Sequence, residues 1–72
     1  MIEYKLLYSY FMEVKEIIKL LENDGWYISR SKGSYRQFKH LTKNGLVTVS
    51  GKLSDELAPG TQNSIYKQAG YK

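Results

Sequence analysis

Apolar residues recur along this chain with two different periods. Val14, Ile17, Ile18 and Leu21 fall at i, i+3, i+4 and i+7, one stripe of an amphipathic helix. Glu13, Lys15, Glu16, Lys19 and Glu22 take the opposite face, where Glu16 and Lys19 make a weakly stabilising pair. Asn23-Asp24-Gly25 ends the helix, with Gly25 suited to a left-handed cap. Tyr4, Leu7, Tyr8 and Phe11 also fit helical spacing and allow a longer helix or a short prelude. From Trp26 the period shortens. Residues 26–31 are aromatic and β-branched with a polar tail, and predict a strand. Lys32-Gly33-Ser34 is a turn, residues 35–40 a second strand, and residues 46–50 a third. Asn44-Gly45 between the last two is the strongest hairpin signal in the chain. Residues 51–58 read as a loop. Pro59 suits the first turn of a final helix that runs to about Ala69, capped by Gly70.

This pattern predicts a single α+β domain of order α-β-β-β-α. Its antiparallel three-stranded sheet is covered on one face by two helices. Val14, Ile17, Ile18, Leu21, Phe38, Val47, Val49 and Ile65 are the expected core, with Trp26, Ile28 and Ala69 facing it. Gln62 and Tyr66 share the stripe of the last helix, which is polar for a core position. The open face carries Tyr27, Tyr35, Gln37, Lys39 and Thr48. Alternation places Tyr35 on the face opposite Phe38, exposed at the start of the second strand.

Seventy-two residues leave no room for an active-site cleft between lobes. There is no cysteine, one histidine and no paired-carboxylate or HxxxH motif, so the residues predict neither a metal site nor any other cofactor. No segment approaches the ~18 apolar residues of a membrane span, and no export signal is read, which makes the cytoplasm the expected compartment. The net charge of +4 is unevenly placed. Residues 1–24 sum to −2 and residues 55–72 to zero, whereas residues 25–54 hold no acid and sum to +6. Arg30, Lys32, Arg36, Lys39 and Lys43 are therefore expected to form a phosphate-binding patch. Basic residues on strands and turns, without a helix-turn-helix, favour RNA over DNA. Gly33 reads as a backbone requirement of its turn, since a lone Lys-Gly-Ser lacks the repeat of a phosphate-cradling loop.

Several motifs now stand in order: a helix ending in Asp-Gly-Trp, Lys32-Gly33-Ser34 followed by Phe38 and His40, a Val-Thr-Val strand, and Pro59-Gly60-Thr61 with Ile65, Lys67, Gln68, Ala69 and Gly70. Together they resemble the HicA family, small bacterial toxins of type II toxin–antitoxin pairs, over residues 12–72. The resemblance implies a double-stranded-RNA-binding-like fold, metal-independent cleavage of mRNA, and a HicB-like antitoxin as partner. It also implies that residues 1–11 are an N-terminal extension from an upstream start codon. In the family a catalytic histidine commonly follows the Gly-Ser; here that position is Tyr35. Leucines common in the family are replaced by Gln62, Tyr66 and Tyr71.

The first of these departures bears on activity. Cleaving RNA without a metal needs a base for the 2′-OH proton and an acid for the leaving 5′-oxygen. Histidine titrates near neutrality and does both. A tyrosine phenol has an ordinary pKa of ~10, so about one in a thousand is ionised at pH 7, and it serves as a donor rather than a base. The implied catalytic position is Tyr35, and His40 is the alternative, as a relocated base or as a strand-end histidine bonded locally. The RNA-binding set is Arg30, Lys32, Gly33, Ser34, Arg36, Lys39 and Lys43. Two functions follow: an mRNA endoribonuclease toxin with activity impaired at Tyr35, or an inactive RNA- or antitoxin-binding module of the same fold.

Overall fold

The computed structural model describes residues 12–71. The proposed extension, residues 1–11, and the helical spacing within it lie outside the described residues. Helix α1 (Val14–Asn23) is followed by strands β1 (Tyr27–Lys32), β2 (Tyr35–Lys39) and β3 (Val47–Ser50) and by helix α2 (Pro59–Gln68). The strands form one antiparallel sheet in the order β1-β2-β3. The α-β-β-β-α architecture expected from the periodicity is present, with element bounds within a residue of those read from sequence.

The ends of α1 are fixed by different means. At its start, the Glu13 amide donates to Glu16 Oε1 at 2.8 Å. The amides of Val14 and Lys15, which have no partner within the helix, donate to Asp55 and Leu53 carbonyls at 2.9 and 3.0 Å. Leu57 N–H closes the same junction on the Met12 carbonyl, and Leu57 is buried in the core. The segment read as a plain loop is thus the anchor of the first helix.

At the other end, the Gly25 amide donates to Glu22 O and the Trp26 amide to Leu21 O, both at 3.0 Å. This is a Schellman motif with Gly25 at the left-handed position, φ 96°. A Cβ there would lie 2.9 Å from His40 Nε2, so glycine is required by space as well as by backbone. Trp26 is consumed by this cap and packs in the core, which is why β1 begins one residue late. α2 ends in the same way: Gly70 N–H to Lys67 O, Tyr71 N–H to Tyr66 O, and the Tyr66 and Tyr71 rings 6.2 Å apart.

Val14, Ile17, Leu21, Trp26, Phe38, Val47, Val49, Leu57, Ile65 and Ala69 form the core between the helices and one sheet face. Ile18, expected inside, is half-buried at its margin. Ile28 pairs with Phe38 and shares its face, yet lies beyond the helices on the edge strand and is 47% exposed. Gln62 is fully buried without penalty: its amide donates to the Leu57 carbonyl at 2.9 Å and its oxygen accepts from Tyr66. The β2–β3 connection runs over residues 40–46, longer than the tight hairpin that Asn44-Gly45 suggests.

Candidate nucleic-acid interface

The register decides which basic residues share a surface. Directly opposed residues in an antiparallel pair lie on the same face. Tyr27 opposes Lys39 and Ile28 opposes Phe38; then the pairing shifts, and Arg30 opposes Gln37, Ser31 opposes Arg36 and Lys32 opposes Tyr35. Ser29 is the extra residue of a β-bulge. Strict alternation from Tyr27 would turn Arg30 and Lys32 toward the helices. The bulge returns both to the open face, beside Gln37 and Tyr35.

The open face therefore carries Tyr27, Arg30 and Lys32 from β1, Tyr35, Gln37 and Lys39 from β2, and Thr48 and Ser50 from β3. Tyr35 is 42% exposed, flanked by Lys32 on one side and Ser50 on the other. Gln37 Nε2 donates to the Tyr35 hydroxyl oxygen at 3.2 Å, which leaves the phenol proton for a ligand. Gly33, φ 58°, has open space where a Cβ would stand, so its role is the turn conformation. Ser34 holds that turn through its carbonyl, which accepts the Gly51 amide at 3.1 Å and the Arg36 guanidinium at 3.2 Å.

Three residues of the expected site lie elsewhere. Arg36 is on the helix-side face and half-buried, and its Nη1 also donates to Gly51 O at 3.0 Å. It braces the β1–β2 turn against the exit of β3. Lys43 reaches Asp24 Oδ2 at 2.6 Å and lies 5.1 Å from the centre of the Tyr71 ring. His40 is 2.6 Å from the Asp24 carbonyl through Nε2, and its Nδ1 accepts the amides of Thr42 and Lys43 at 3.1 and 3.3 Å. Acceptance at Nδ1 places the proton on Nε2, so both ring nitrogens are engaged. The ring packs edge-on against Trp26, 5.2 Å between centroids.

Asp24 is the hub of this second cluster. Its Oδ2 also accepts from the Tyr71 hydroxyl at 3.0 Å and the Trp26 indole at 3.2 Å. The Lys43 hydrogen bond first, and then that of Tyr71, hold the Asp24 carboxyl below its ordinary value. Burial, reinforced by Asp24, pushes the Tyr71 phenol up to about 12. Burial raises the Tyr66 phenol as well. Among the described residues, no three His, Asp or Glu side chains converge as a metal site, and no helix is long and apolar enough to cross a membrane.

The chain is thus a small αβββα domain with an exposed basic and aromatic sheet face. The family model for the HicA toxin of bacterial toxin–antitoxin systems matches residues 14–71, and the chain belongs to that family. It is accordingly the toxin component of a toxin–antitoxin pair, with a cognate antitoxin as partner. No curated protein matches it.

Proposed function

We propose that this toxin binds mRNA on its open sheet face and cleaves it in the cytoplasm without a metal or other cofactor, slowly, because Tyr35 stands where the family resemblance places a histidine. The observation that carries the reading is the convergence of Arg30, Lys32, Tyr35 and Lys39 on one exposed surface. Lys32 and Arg30 neutralise phosphate. The Tyr35 hydroxyl donates to a phosphoryl or leaving oxygen, while no side chain beside it on that face is an ordinary base near neutrality. Tyr27 and Tyr35 offer rings for unpaired bases, each stacking contact worth ~1–3 kcal/mol.

Binding is tested by titrating a fluorescent single-stranded RNA at several salt concentrations. Arg30→Gln with Lys32→Gln is expected to flatten the slope of log affinity against log salt by about 1.4, two contacts on a single strand. Arg36→Gln is expected to leave the slope unchanged and to lower the melting temperature, because its guanidinium is spent on Ser34 and Gly51 carbonyls. A slope that ignores the double substitution but follows Arg36 would move the RNA to the other face.

A further inference from the structure

The two edges of the sheet are finished differently. On the β3 edge, the Thr48 amide donates to Gln68 Oε1 of α2 at 2.8 Å. An amide held by a side chain is closed to another strand. Among the described residues the β1 edge has no such cover. All six residues from Tyr27 to Lys32 are exposed, and among the described residues no loop or side chain hydrogen-bonds to their backbone. Alternate N–H and C=O groups of β1 therefore point outward, the template used in strand addition. The Ser29 bulge interrupts that row, so the edge suits a short extended segment better than a long flat one.

The side chains flanking the edge define what fits it. Arg30 and Lys32 line it on the open face, and half-exposed Ile28 lines it on the helix side. No acid occurs between residues 25 and 54. A second copy of the chain is a poor occupant, because edge-to-edge pairing would set Arg30 and Lys32 against their own counterparts. RNA matches the cations but offers no amide row and nothing apolar for Ile28. We infer that β1 accepts a short, acidic, extended segment of the antitoxin as a fourth strand. Its carboxylates point to Arg30 and Lys32, and an apolar side chain lies beside Ile28. Such a strand opposes RNA for the same cations, so it would inhibit by occupancy. The family assignment supplies the antitoxin, and the strand addition stands whether or not the open face binds RNA.

The probe is a synthetic peptide of four Val-Glu repeats, titrated into the full chain labelled with nitrogen-15. Matching peptides carry Lys for Glu, Gly for Val, or N-methyl groups on every second residue. The expected result is slowed amide exchange along Tyr27–Lys32 and none along Val47–Ser50. Affinity should fall on the order of tenfold or more with the Lys peptide and with the Arg30→Glu/Lys32→Glu variant, from like-charge repulsion. Methylation of one set of alternate residues should abolish binding, because it removes the donors that face β1. Sedimentation should show a monomer without peptide. Binding that survives both methylation patterns would reduce the contact to charge alone and overturn strand addition. So would no binding, a β1-mediated dimer, or binding centred on the groove that Leu20, Asn23, Tyr66 and Tyr71 line where the two helices end. Loss of RNA binding in a parallel titration would sink the proposed function and leave this inference in place.

Discussion

Tyr35→His is expected to raise the rate of RNA cleavage by a factor on the order of 10²–10⁴, the usual contribution of one placed acid–base group. The substitution introduces an imidazole at an exposed strand position with Lys32 opposite and Gln37 on the same face, so the backbone need not move. An imidazole at that point accepts the 2′-OH proton near neutrality, which a phenol does poorly. The measurement compares wild type, Tyr35→His and His40→Ala on one long single-stranded RNA, at equal folded fraction. His40→Ala is expected to leave the cleavage rate of the folded protein unchanged, because both of its ring nitrogens are bonded within the fold. Equal rates for wild type and Tyr35→His would remove Tyr35 from the catalytic position. Loss of wild-type cleavage in folded His40→Ala would make His40 the relocated base. Silence from both wild type and Tyr35→His would favour the inactive binding module.

Phe38→Ala is expected to cost ~3–5 kcal/mol of folding free energy, the range for emptying a buried aromatic site. Phe38 lies on the central strand, fully buried, with Ile28 and Val47 as its cross-strand neighbours. A domain of 72 residues is held by roughly 4–11 kcal/mol in total, so this loss removes a large share of the margin. Urea unfolding should show a lower midpoint at nearly constant slope. Ile28→Ala, at a half-exposed position on the edge strand, is the control and should cost under ~1 kcal/mol. Similar costs for the two would mean that the core is not centred on β2.

The parts of this molecule that were legible in the sequence are those set by local chemistry. The Val14–Ile17–Leu21 stripe, the two glycine caps and the alternation of β2 each follow from a few adjacent residues, and together they were enough for the architecture. The site was less legible because it depends on register and on distant carbonyls. Nothing in Ile28-Ser29-Arg30 announces a bulge, yet that bulge decides that Arg30 and Lys32 face outward. Arg36 and Lys43 count as cations in any charge map. Gly51, fifteen residues from Arg36, and Asp24, nineteen from Lys43, occupy them instead. Leu57 was not legible because an isolated leucine in a polar loop carries no period, and its burial depends on the junction with Met12.

The Asp24 cluster gives the helix ends a plateau of acid and alkali resistance. Its carboxyl titrates below the ordinary value, so its contribution is complete above about pH 4 and is lost only as pH falls through the lowered value. The Tyr71 phenol, raised to about 12, donates fully below about pH 10, and that contribution is lost as pH rises through 12. The two windows never meet. The difference in melting temperature between wild type and Asp24→Asn is therefore expected to stay constant from about pH 4 to 10 and to shrink outside those limits. A difference that drifts steadily across neutrality would mean that another titrating group controls the cluster. Within that plateau a change in pH leaves the Asp24 side-chain contacts with Lys43 and Tyr71 as tight as before, so they are not a proton-driven release for the toxin.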